Sequence, residues 1–222
     1  MGHPLKVVPL TIDLLCKEAG LFAADESAHD EPSLYGATDG KAVGTYLEHK
    51  FQRNLSEKYE YVLGSSAKGL DFPELSVDIK VTSIKQPQSS CPFRYAQQKI
   101  YGLGYALLVF VYEKSDNNRL KTSRLHIHHA VFVDQSRTAD FQTTSGLRKI
   151  LENNGNTDDV IAFFSERMLP VDEIQALELA EKVISNPPEI GYLTISNALQ
   201  WRLQYSRVIQ EAGIVSGISK VY

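Results

Sequence analysis

KGLDFPELSVDIKVTS, residues 68–83, sets two aspartates seven positions apart, Asp71 and Asp78, with Lys80 two positions past the second. A strand with one face on a core fills its inward positions with apolar, often β-branched residues. Val77, Ile79 and Val81 do this on one face. Asp78 and Lys80 then project together from the other, because residues i and i+2 of a strand share a face. Phe72-Pro73-Glu74 reads as a short turn, which returns Asp71, at the end of the preceding run, to their side.

Two carboxylates converging with one ammonium can carry chemistry. The carboxylates offer hard oxygen ligands to one or two Mg²⁺ ions. A metal held there polarises a phosphodiester, lowers the pKa of a bound water and stabilises the leaving oxygen. The lysine can orient or help deprotonate that water and offset charge in the transition state. The bland alternative is a surface ion pair on a solvated edge strand. The apolar opposite face, the second acid across the turn and a further acid upstream, Glu48, favour the catalytic reading.

The flanking sequence sorts into elements by period. LTIDLLCKEAGLF (10–22) has helical spacing, and the Gly/Pro-punctuated stretch 23–40 reads as a loop. In 41–59, Val43, Leu47, Phe51 and Leu55 step by four along one helix face. Residues 59–71 look β-like. A short helix is expected within 92–105, stopped by Gly102 and Gly104. ALLVFVYEK (106–114) is a continuous apolar strand, and 125–134 is another. Helices follow at 144–155, 158–168 and 172–185, and the tail 190–213 reads as one more helix with a leading strand or turn. The expected fold is α/β: a central mixed β-sheet of four or five strands flanked by helices. We read residues 1–222 as a single nuclease-type domain, with a catalytic core over 41–134 and a helical part over 144–222.

Composition narrows the class. The 222 residues are 43% hydrophobic and 23% charged, as in a globular chain. No stretch is apolar over the roughly 18 residues of a membrane span, and MGHPLKVVPL lacks the pattern of a secretory signal. Two cysteines, Cys16 and Cys91, without a CxxC pair, fit a reducing cytoplasm and argue against a disulfide or structural-zinc scaffold. A net charge of −4 counts against a constitutive nucleic-acid binder. It still allows an enzyme that must release DNA and is basic only along a cleft, and Lys80, Lys85, Arg94 and Lys99 cluster near the quoted stretch.

The segment resembles the PD-(D/E)xK nuclease superfamily, which includes type II restriction endonucleases. It is especially similar to the MutH branch, with its short separation between first Asp and acid-x-Lys and its upstream helical glutamate, matched here by GTYLEHKFQ. The resemblance covers residues 40–85. It implies Asp71 and Asp78 as metal ligands, Lys80 as the catalytic lysine and Glu48 as an accessory or structural acid. It further implies Mg²⁺ as cofactor, double-stranded DNA as substrate, 5′-phosphate and 3′-hydroxyl ends, and a homodimer, or a monomer that nicks one strand at a time. The sequence departs from the usual pattern in its second acid, Asp rather than Glu, and in Leu70 before Asp71 where Pro is common.

DNA contacts are expected from Lys68, Lys85, Gln97 and Arg202. Ser65, Ser66 and Lys68 precede the hairpin. Gln97, Gln98 and Lys99 sit on the short helix. In the tail, Asn197, Gln200, Arg202, Gln204, Tyr205 and Arg207 read as polar side chains on one helix, of the types that pair with base edges. His126 and His128 share a strand face but lack a third zinc ligand, so with His129 they read as outward-facing. His49 reads as surface. A partner-licensed nuclease and a non-catalytic DNA-binding α/β protein are the alternative readings.

Overall fold

The computed structural model describes residues 8–64, 69–90, 95–196 and 202–222. Its elements are β1 (Val8–Pro9), α1 (Ile12–Ala28), β2 (Asp30–Glu31), α2 (Gly40–Ser56), β3 (Tyr59–Glu60), β4 (Val77–Ser83) and β5 (Gln88–Ser90). Then come α3 (Gln97–Tyr101), β6 (Ala106–Asn117), β7 (Thr122–Val133), α4 (Phe141–Glu152), α5 (Thr157–Glu166) and α6 (Glu173–Ser185). The chain ends with β8 (Thr194–Ile195), β9 (Arg202–Gln204), α7 (Ser206–Glu211) and β10 (Ile218–Lys220). Two compact units form: residues up to 87 with 107–132 and 219–222, and residues 88–106 with 133–218.

The first unit is α/β, as expected. Its five-stranded sheet runs β10-β7-β6-β4, with β2 pairing antiparallel to β7. Ala106 to Tyr112 of β6 are all buried, which is why this run shows no polar alternation. Asp39 caps α2 by accepting from the Lys41 N–H at 2.9 Å. Val43, Leu47, Phe51 and Leu55 of α2 are buried as their spacing demands, and α2 packs on β4. Phe22, Phe51 and Phe110 bring α1, α2 and β6 together, with ring centroids 5.1–5.9 Å apart. Each such side chain contributes about 2 kcal/mol of burial, which fixes the helix that faces the hairpin.

The second unit holds α3 to α6 around Ile100, Leu147, Phe164, Leu179 and Val183. Capping boxes start α5 at Asn156 and α6 at Asp172. A three-stranded antiparallel sheet, β5-β9-β8, belongs to this unit.

Four expectations are corrected. Helix α1 continues to Ala28 through the segment expected to be a loop, because Ala23 and Glu26 are buried and Glu26 pairs with Lys50 of α2 at 2.7 Å. Among the described residues of the run 59–71, only Tyr59–Glu60 is a strand, paired in parallel with β1. The helix expected within 92–105 is limited to α3 among the described residues, and Gly102 and Gly104 stop it at positive φ. The tail opens on a strand, β8, as one of its readings allowed, but β8 pairs with a second strand, β9, and among the described residues of the tail only Ser206–Glu211 is helical. Leu193, Ile195, Leu203 and Tyr205 are buried at a strand's period of two. Arg202 and Gln204 therefore alternate with core residues on a strand rather than lining a helix. Asn197 and Gln200 lie outside the described residues. Strands β1, β2, β5 and β10 were not foreseen.

Candidate active site

The turn after Asp71 is tight. Phe72 and Val77 form an antiparallel bridge, with Phe72 N–H donating to Val77 O at 3.0 Å and Val77 N–H donating back at 3.1 Å. Ser76 takes a positive φ of 53° to close it. The loop ahead of Asp71 is anchored as closely. Gly64 N–H donates to Asp71 O at 3.0 Å, Val62 N–H donates to a Glu74 carboxylate oxygen at 3.2 Å, and the Tyr61 hydroxyl donates to Gln52 O at 2.7 Å. A Cβ on Gly64 would sit 1.8 Å from Leu70 O, so no other residue fits without moving the segment that carries Asp71. Gly64→Ala is expected to destabilise the fold by about 1–3 kcal/mol, read from the midpoint of urea unfolding.

Asp71, Asp78, Lys80 and Glu48 all line one cleft of about 400 Å³ in the first unit, bringing together every residue expected to be catalytic. Asp78 is 5% exposed, and its Oδ2 lies 2.5 Å from Lys80 Nζ, as their shared strand face requires. Asp71 Oδ2 accepts from the Ile79 N–H at 2.7 Å, and Oδ1 accepts from Gln52 Nε2 at 3.1 Å. Burial pushes the Asp78 carboxyl up to about 7; the Lys80 ammonium pulls it down and Asp71 pushes it up again. Burial also raises Asp71, partly offset by its hydrogen bonds, and the Glu48 carboxylate raises it further. Buried carboxyls held above their ordinary range, with repulsive neighbours, form a donor set that a divalent cation would relieve, and all its atoms are hard oxygens. Among the described residues no group of three or more His, Cys, Asp or Glu is arranged to hold a metal; the acids that share this cleft are Asp71, Asp78 and Glu48.

The sequence reading missed two cleft residues. His49 is exposed, as expected, but it lines the cleft. Gln52, which was not singled out, also lines it; its signal was the four-residue step from Glu48 along one helix face. The described residues expected to contact DNA belong to different units. Lys85 is exposed in the turn after β4, while Gln97 on α3 and Arg202 on β9 lie in the second unit. Lys68, Ser65, Ser66 and Arg94 lie outside the described residues. Lys99, expected in a basic cluster, is buried. His126 and His128 point outward, His128 toward Glu113 at 3.3 Å. No helix among the described residues is long and apolar enough to cross a membrane.

Comparison with known proteins identifies the family of the chain. The family model described as Type II restriction enzyme NspV matches residues 9–220. The curated Type II restriction enzyme NspV of Nostoc sp. is 62% identical over 213 residues, covering 96% of this chain and 97% of that protein. No solved structure matches the chain. The match spans both compact units, with the hairpin and its cleft inside it, and the chain belongs to the NspV family of type II restriction enzymes.

Proposed function

We propose that this restriction enzyme hydrolyses phosphodiester bonds of double-stranded DNA at a specific sequence, with Mg²⁺ held by Asp71 and Asp78. The single observation that supports this reading best is the convergence of Asp71, Asp78 and Lys80 in one cleft. The arrangement is that of the PD-(D/E)xK superfamily and resembles its MutH branch. When bound, Mg²⁺ supplies an acidified water and stabilises the departing oxygen. The protein's own groups do the rest. Asp71 and Asp78 offer carboxylate oxygens from two backbone segments locked by the Phe72–Val77 bridge. Lys80, held against Asp78, orients the attacking water and offsets negative charge at phosphorus. Glu48 adds negative potential at the cleft and serves as an accessory acid.

Water oxygen bonds to phosphorus as the P–O3′ bond breaks, leaving a 5′-phosphate and a 3′-hydroxyl. The catalytic core spans residues 41–134. Lys85, Gln97 and Arg202 contact DNA, as does Lys68, and the 144–222 part contributes to recognition. A homodimer would cut both strands of a palindrome. The test incubates purified protein with plasmid and phage DNA, with Mg²⁺ or with EDTA. Discrete Mg²⁺-dependent fragments with 5′-phosphate ends are expected. Cleavage that is undiminished in EDTA would remove the metal from the proposal, and the absence of cleavage in any divalent cation would remove the activity.

A further inference from the structure

We infer that Gln52 is a positioning residue that aims the Asp71 carboxylate at the metal while leaving its charge available. The inference rests on the reading of Asp71 as a metal ligand. Gln52 sits on α2, whose buried face packs on β4, so its side chain has a rigid base. Its carbonyl accepts from the Tyr61 hydroxyl at 2.7 Å, tying the same backbone to the loop ahead of Asp71. Its Nε2 donates to Asp71 Oδ1 at 3.1 Å, while the Ile79 N–H donates to Oδ2 at 2.7 Å. One donor on each oxygen fixes the plane of the carboxylate, and each oxygen keeps lone pairs for other partners.

The two acids are treated differently. Asp78 is bonded to a cation, Lys80. The two donors to Asp71 seen among the described residues, Gln52 Nε2 and the Ile79 N–H, are both neutral. A lysine or arginine at position 52 could orient Asp71 equally well, but it would neutralise the charge that attracts a divalent ion. A glutamine orients without competing. This explains a neutral donor beside an acid that already feels Glu48. It also separates the residue's role from that of a salt-bridging scaffold residue.

The test uses the full-length protein and three measurements on wild type, Gln52→Met and Gln52→Lys. Met keeps the volume and removes the donor; Lys keeps a donor and adds charge. Mn²⁺ affinity is read by titration calorimetry without DNA, plasmid cleavage gives kcat and KM, and thermal melts check the fold. Gln52→Met is expected to bind Mn²⁺ about 10–100-fold more weakly. Its kcat should fall by a similar factor, with KM for DNA and the melting temperature close to wild type. Gln52→Lys is expected to bind Mn²⁺ at least as poorly, although its hydrogen bond is kept. If wild type binds Mn²⁺ and Gln52→Met matches it in affinity and kcat, the assignment of Gln52 is overturned and the metal site stands. If Gln52→Lys binds Mn²⁺ like wild type, the argument from neutrality is overturned. If wild type binds no divalent cation, the metal reading falls and takes this inference with it.

Discussion

Asp78→Asn is expected to abolish cleavage and, in the absence of divalent metal, to make the protein more stable. Activity should fall by more than about 10³-fold, as when a group acting directly in catalysis is removed. The stability gain follows from linkage. Burial holds the Asp78 carboxyl at about 7, against an unfolded value near 3.8. The folded state thus keeps a proton that the unfolded state releases, and stability falls as pH rises between the two values. The loss is complete above the folded value. Asparagine has the shape of the protonated acid and never carries the charge.

The advantage of Asp78→Asn should accordingly be absent near pH 4, grow as pH rises, and level off above pH 7. At pH 8 in EDTA a gain of a few kcal/mol is expected, or about 5–10 °C in melting temperature for a chain of this size. Added Mg²⁺ should reverse the order, because only the wild type gains stability by binding it. Thermal melts from pH 4.5 to 8.5, with EDTA or with Mg²⁺, make the check. A variant less stable than wild type at pH 8 in EDTA would show that the Lys80 contact outweighs the burial of the charge. The expected trade, stability given up at a site that needs two buried acids, is common where function requires strain.

Lys80 separates charge from proton handling. Lys80→Ala should lower cleavage about 10²–10⁴-fold at neutral pH, the range for a positioned group acting on a proton in the transition state. Its ammonium pulls the Asp78 carboxyl down, so its removal lets burial and Asp71 push that carboxyl above about 7. Asp78 would then hold its proton at neutral pH and bind metal poorly. Residual cleavage should climb as pH rises past that new value, and Mn²⁺ affinity should climb in parallel. Lys80→Arg restores a cation beside Asp78, and with it most of the metal affinity. It is not expected to restore cleavage, because the guanidinium is planar, larger and does not give up its proton. Calorimetry with Mn²⁺ and a plasmid assay, run on the same preparations, distinguish these outcomes. An Arg variant with wild-type cleavage would reduce Lys80 to a counter-charge for Asp78.

The convergence of Asp71, Asp78 and Lys80 in one cleft was readable because its logic is local. Asp78 and Lys80 share a face by the two-residue period of a strand, and the Phe72–Ser76 turn brings Asp71 back within a few residues. Helix α2, the apolar strand β6, and helices α4 to α6 were readable for the same reason: period and caps are properties of neighbours along the chain. Order along the chain was enough for the α/β class, the acids and the lysine.

Contacts between distant segments decided the rest. Glu26 extends α1 because Lys50, far along the chain, reaches its buried carboxylate from a half-buried position. Strand β9 exists because β5 and β8 supply partners for its backbone, which overrode the helix-like composition of the tail. The need for glycine at position 64 appears only when Leu70 O is pressed against it. Gln52 acquires meaning only when α2 is laid on the hairpin, so that an amide on a helix reaches a carboxylate 19 residues later. Strand pairing, close backbone approach and the orientation of a carboxylate all depend on groups far apart in sequence, and only the folded chain brings those groups within a hydrogen bond of each other.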